Sequence, residues 1–266
     1  MAARLTRAKR KLVLAGVPFR IPEVDELDTR IEGVLRAIYL AFTAGYAPGE
    51  GDEPLRVELA GEAVRLAQVL NAVLPGRADV RALLALLMLT HARRDARVAE
   101  GELVLLGEQD RSHWHHDEIA AGLGLVVSLE PSTGYPEELR LQALIAGVHA
   151  GAPYAAATDW GLIATLYARL EQLTGSPVVR LNRAVAVAES AGPEAGLALL
   201  ADLDPAQVRP YRLAAVRAEL QARAGRPREA AELFEEAVRT CSNAAERRRL
   251  IARREQVGAE AAADLR

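Results

Sequence analysis

Apolar side chains recur at i, i+3, i+4 and i+7 through almost the whole chain, the spacing of helices that bury one face. Leu27–Phe42 is predicted as the first core helix, with Ile31, Val34, Leu35, Ile38 and Phe42 on one side. Gly45, Pro48, Gly49, Gly51 and Pro54 then read as a loop. Leu55–Val73 resumes the period with Val57, Ala60, Ala63, Val64 and Ala67 inward, and Pro75-Gly76 stops it. Val80–Arg97 is a very apolar helix that turns charged at THARRDAR, and Gly101–Leu106 reads as a short extended stretch. Helices over Asp117–Leu129, Glu137–Ala150 and Trp160–Leu173 follow, the last capped by Asp159 and ended by Gly175–Pro177.

The last third comes in pairs. Val178–Glu189 with Glu194–Leu203 forms one, and Pro210–Ala224 with Arg228–Thr240 forms the next, before a final helix over Ala244–Val257. The second pair, LAAVRAELQARAGRPREAAELFEEAV, carries the tetratricopeptide rhythm: small residues and Gly225 at the turn, then Phe234 and Ala237 at helical spacing. The expected fold class is therefore all-α, a helical bundle with tetratricopeptide-like helix pairs at about 178–257. Residues 23–258 read as one helical domain, with a basic arm at 1–22 and a disordered tail at 259–266.

Composition sharpens this picture. Half the residues are apolar but only 4% are aromatic, so Ala, Leu and Val supply the core, which suits close-packed helices better than a sheet. A single cysteine, Cys241, excludes an internal disulfide framework and fits a reducing cytoplasm. The longest apolar run, Val80–Leu89, is broken by Arg81 and too short to span a bilayer. LVLAGV after the basic start is too short for a secretory h-region.

The net charge of -3 conceals a polarised start: MAARLTRAKRKLVLAGVPFRIP has six basic side chains and no acidic one. Arg4, Arg7, Lys9, Arg10 and Lys11 are candidate contacts to nucleic acid or an acidic partner. On charge alone, phosphate contact and a solvated terminus are equally compatible with such an arm. Phosphate contacts position a protein but read no base identity, so the chain alone is expected not to bind promoter DNA specifically.

The densest polar block is THARRDAR followed by GEQDRSHW. As a site, it offers Arg93, Arg94, Arg97 and Arg111 as grips for phosphate or carboxylate, and His91 and Asp110 as acid–base candidates. As scaffold, it is a helix terminus pinned to a loop by Arg–Asp pairs and by Gln109, with Trp114 beside it, and this reading is the stronger. His113, His115 and His116 with Asp117 or Glu118 are spaced too closely for a metal site on one helix face. His149, Asp159, Trp160, Asn182 and Arg183 read as hydrogen-bonded packing residues. No nucleotide-binding, metalloprotease or nucleophile-elbow motif is present, so neither catalysis nor a cofactor is expected.

Nine stretches taken in order carry a family resemblance: RAKRKLVLAGVPFRIP, AIYLAFTAGY, EAVRLAQVL, ALLALLMLTHARRDAR, GELVLLGEQDRSHW, LQALIAGVHA, TDWGLIATLY, SPVVRLNRAVAVAESAGPEAGL and AGRPREAAELFEEAV. Together they resemble the C-terminal part of those extracytoplasmic-function (ECF) sigma factors, of the sigma-70 class, that carry a tetratricopeptide-like extension. Thr43-Ala44 departs from the pattern, where Asn-Glu is usual, as do His113 and His115, where Arg and Asp are usual. The resemblance implies a bacterial, cytoplasmic, non-enzymatic protein acting in transcription initiation through protein–protein contacts. Its partners would be core RNA polymerase or sigma promoter-reading domains (in cis in a complete protein), with non-specific DNA at the arm and no membrane. It further implies that the arm is the end of a helix-turn-helix DNA-reading domain, and that the polar cluster is a family signature. Two other readings stand beside it: a stand-alone helical-repeat interaction protein, and a small-molecule sensor or enzyme using the THARRDAR–EQDRSHW cleft.

Overall fold

A computed structural model describes residues 6–7, 10–11, 13–16, 24–46, 56–99 and 101–263. Arg4, Lys9, the loop residues Pro48, Gly49, Gly51 and Pro54, and the last three residues of the expected tail lie outside them. Residues 1–36 and 37–266 are two compact units.

The fold is all-α, 78% helical. Eleven α-helices follow one another from residue 24 among the described residues: α1 Val24–Tyr46, α2 Val57–Val73, α3 Ala78–His91, α4 His116–Val127, α5 Gly134–Gly151, α6 Trp160–Thr174, α7 Pro177–Ala191, α8 Pro193–Leu200, α9 Pro210–Arg223, α10 Pro227–Thr240 and α11 Ala244–Ala263. The extended stretch is a minimal antiparallel hairpin, β1 Val98–Ala99 with β2 Glu102–Leu103, turned at Gly101 with φ +81°.

Local chemistry explains the boundaries. Asp159 caps α6 through an Oδ1 that accepts the Leu162 N–H at 2.8 Å, and Gly175 at φ +61° closes it in a left-handed C-terminal turn. Each of α7, α8, α9 and α10 opens with proline, whose fixed φ and missing N–H suit the first helical position. α3 ends at His91, short of the Arg97 that the pattern suggested, and a single 3-10 turn at Arg94–Ala96 leads into the hairpin. α11 continues to Ala263, through residues assigned to the tail on sequence.

α3 is the hub. Val80, Leu83, Leu87 and Leu89 are fully buried, and α2, α4 and α5 pack around it. The apolar faces of α1 and α2 sit mostly as expected, but Val34 is 43% exposed and Val57 42%, so neither belongs to the core. Leu141, Ile145, Ile163, Leu166 and Leu170 join α5 to α6. From α7 onward the helices stack as antiparallel pairs around two small cores, one centred on Leu200, Leu213 and Leu220, the other on Phe234, Ala237 and Val257. Ion pairs tie the pairs to one another: Arg223–Glu189 between α9 and α7, and Arg253–Glu219 between α11 and α9.

Candidate functional site

The end of α3, the hairpin and the start of α4 gather most of the polar block, with Arg94 at the centre. Its Nη1 donates to the His91 carbonyl at 3.1 Å, to His91 Nδ1 at 2.9 Å and to Glu118 Oε2 at 2.9 Å, while Nη2 donates to His115 Nδ1 at 3.2 Å. The His91 Nδ1 also lies 3.4 Å from Glu118 Oε2, and its Nε2 is buried without a partner among the described residues. Because a guanidinium only donates, the His115 Nδ1 accepts and its Nε2 carries the proton. His115 passes that proton's hydrogen bond to Asp95 at 2.7 Å. Burial, with the Arg94 charge behind it, lowers the His91 pKa, consistent with a neutral ring. Arg94 thus pins the last turn of α3 to the first turn of α4. Both of its Nη atoms are engaged, so the guanidinium acts here as a clamp between the two elements.

The neighbouring arginines hold other segments. Arg97 donates to the Tyr46 carbonyl at 2.8 Å with its guanidinium over the Tyr46 ring, and Arg93 donates to the Tyr46 hydroxyl at 3.1 Å. Arg111 donates to the carbonyls of His149, at 3.1 Å, and Ala152 while stacking on buried Trp114 at 4.3 Å. Asp110 caps the 3-10 turn Arg111–His113 by accepting the Ser112 N–H at 2.9 Å, and Ser112, through its side chain first and its backbone second, lowers the Asp110 pKa. Asp110 pairs with no arginine among the described residues, so Glu118 takes the role that the sequence suggested for Asp110. Gln109 donates to the Val104 carbonyl at 3.2 Å.

The remaining residues divide by position. Asp159 serves as the α6 cap, and Trp160 meets His149 edge-on with centroids 5.2 Å apart. Burial, then the charges of Arg93 and Arg111, pushes the His149 pKa down to about 4, leaving it neutral at pH 7. Arg183 donates to Glu171 Oε2 at 3.0 Å, and Arg180 to Oε1 at 2.7 Å. Burial alone would raise the Glu171 pKa, but these two arginines prevail and hold it low. Arg7, Arg10 and Lys11 of the arm are exposed. Among the described residues no three His, Cys, Asp or Glu side chains converge as a metal site, and no helix is long and apolar enough to cross a membrane.

Arg93 and Asn182 line two hollows. One, of about 470 Å³, lies towards α5 and α6 and includes His149 and Tyr167, whose hydroxyl burial pushes up to about 12. The other, of about 590 Å³, lies between the segment Leu103–Leu106 and helices α7, α9 and α11. A further hollow of about 640 Å³ shares Ala215, Val216, Arg249 and Leu250 with it and extends the groove along the same three helices. The contributions of Arg212, Glu246 and Arg249 are invisible as a local motif, since they come from separate helices that only tertiary packing brings to the hairpin.

Residues 30–129 match a family of unknown function, DUF6596. The chain is also 38% identical over 247 residues to the uncharacterized protein R00370 of Rhizobium meliloti (strain 1021), covering 92% of this chain and 58% of the relative. The chain thus spans little more than half the length of that relative. No solved structure matches it.

Proposed function

We propose that the chain is a regulatory, protein-contacting region of an ECF-type sigma factor, working in transcription initiation in a bacterial cytoplasm and not as an enzyme. The sequence resemblance suggests the setting. The structural observation in support is an unpartnered apolar stripe on α2: Leu66, Val69 and Val73, at i, i+3 and i+7, are 39%, 48% and 68% exposed. Three aliphatic side chains in register on one helix face form a seam for a partner, unlike scattered surface apolar residues. Core polymerase or sigma promoter-reading domains would cover it.

The test is a pull-down of the purified chain against core RNA polymerase and, separately, against the N-terminal domains of a complete ECF sigma factor. Capture of either is expected, together with its loss in Val69→Glu/Val73→Glu, a change at exposed positions that leaves the fold intact. Absence of binding to both would remove the reading and leave a stand-alone interaction module as the better one.

A further inference from the structure

The groove wall beside the hairpin has a polar inventory that the fold leaves unfinished. Four arginines line the 590 Å³ hollow, from three different parts of the chain: Arg93 and Arg97 from the end of α3, Arg212 from α9 and Arg249 from α11. Glu246 is the only carboxylate among the described lining residues. Arg212 reaches it weakly, at 3.5 Å. Arg249 is half-buried and pairs with nothing among the described residues. This is a concentration of positive charge in a protein whose net charge is -3.

Three buried side-chain atoms on this wall also lack partners: Arg93 Nε, Gln109 Oε1 and Glu246 Oε2. Leaving a buried polar group unpaired costs about 1–3 kcal/mol, so three on one wall are a built preference for something that supplies their bonds. The set is mixed. Arg93 and Arg249 offer donors and charge, whereas Gln109 and Glu246 offer acceptors. The Tyr46 and Tyr211 side chains and Leu250 add apolar and aromatic surface. A hollow of this volume lies in the range of small-molecule sites.

We propose that this hollow binds a small anionic effector, with a phosphate or carboxylate held by Arg93 and Arg249 and an N–H donor of the same molecule held by Gln109 and Glu246. A nucleoside monophosphate has this chemistry, and so does an amino acid. The site joins the α1–α4 region to the helix pairs through the hairpin, so its occupation would stiffen that junction. The inference does not depend on the transcription reading, because it concerns a different face from the α2 stripe.

The experiment is isothermal titration calorimetry of the full chain with GMP, AMP, L-glutamate and inorganic phosphate, each to 1 mM, in parallel with thermal melts. Saturable binding of a nucleotide or of glutamate is expected, with a raised melting temperature. Arg249→Gln should weaken it at least tenfold. Since Arg249 has no partner among the described residues, that variant should melt no lower than the parent without ligand, separating lost binding from lost fold. Gln109→Ala should weaken GMP or glutamate but leave inorganic phosphate unchanged. No saturable binding by any of the four, or binding that Arg249→Gln leaves intact, overturns the proposal. Phosphate binding as tight as the nucleotide overturns the role given to Gln109 and Glu246.

Discussion

Arg97 sits over Tyr46, its guanidinium carbon 3.4 Å from the ring centroid, while its Nη1 donates to the carbonyl of the same residue at 2.8 Å. Phe42 stacks on that ring one turn earlier, with centroids 5.4 Å apart. One arginine beyond the end of α3 therefore fixes the last turn of α1. A desolvated cation over an aromatic face contributes about 1–2 kcal/mol, and the hydrogen bond a similar amount. Arg97→Ala should lower unfolding stability by about 2–3 kcal/mol in urea denaturation. Arg97→Lys should recover little, because an ammonium cannot both stack and reach the carbonyl. Full recovery by lysine would show that charge alone matters there.

How much of this could be read in advance differs between fold and site. Helix positions were legible because period, proline and glycine are local signals, and they placed α5 through α10 within a few residues. The end of α3 was not: Arg93, Arg94 and Arg97 continue a helical pattern, but each finds its partner off the helix axis, at Tyr46 or Glu118, and the chain turns to let them reach. THARRDAR and EQDRSHW stood out as polar blocks, and their joining was expected as Arg–Asp pairing. The pairing partner of Arg94 is instead Glu118, in the first turn of α4, while Asp110 accepts from the Ser112 amide. Arg249 looked like any other arginine of an arginine-rich last helix. Its place on the wall of the hollow emerges only once α7, α9 and α11 are packed against the hairpin.

Two helical glycines give opposite expectations. A Cβ on Gly196 of α8 would stand 2.7 Å from both the Ala184 carbonyl oxygen and the Ala188 Cβ of α7, so the helices touch there through bare backbone. Gly196→Ala must push α8 off α7 and should destabilise by about 1–3 kcal/mol. Gly258 of α11 has no atom within 4 Å of its Cβ site. Gly258→Ala should gain up to about 1 kcal/mol from helix propensity alone. Thermal melts of the two variants should move in opposite directions. A neutral Gly196→Ala would mean that α7 and α8 are not closely packed in solution.

The buried His149 makes stability depend on pH over a window that the carboxylates do not dominate. Its ring is pressed edge-on to Trp160, and the charges of Arg93 and Arg111 lie nearby, so the folded pKa is about 4 against an ordinary 6.5. The unfolded chain therefore takes up a proton from about pH 6.5 downward, whereas the folded chain does not until about pH 4. Stability is complete well above pH 6.5 and falls as pH drops towards 4, by about 1.6 kcal/mol between pH 6.5 and 5. His91, lowered chiefly by burial and then by Arg94, adds in the same direction. Glu137, held low by its bond from Arg140, and Glu171 lose their stabilisation only as pH falls below the usual carboxylate range, beneath this window. His149→Leu keeps an apolar body against Trp160 and removes the proton, so the slope of unfolding free energy between pH 6.5 and 5 should fall to about half or less of the parent's. Urea titrations at three pH values decide it, and an unchanged slope would mean that His149 is protonated, or open to water, in the folded chain.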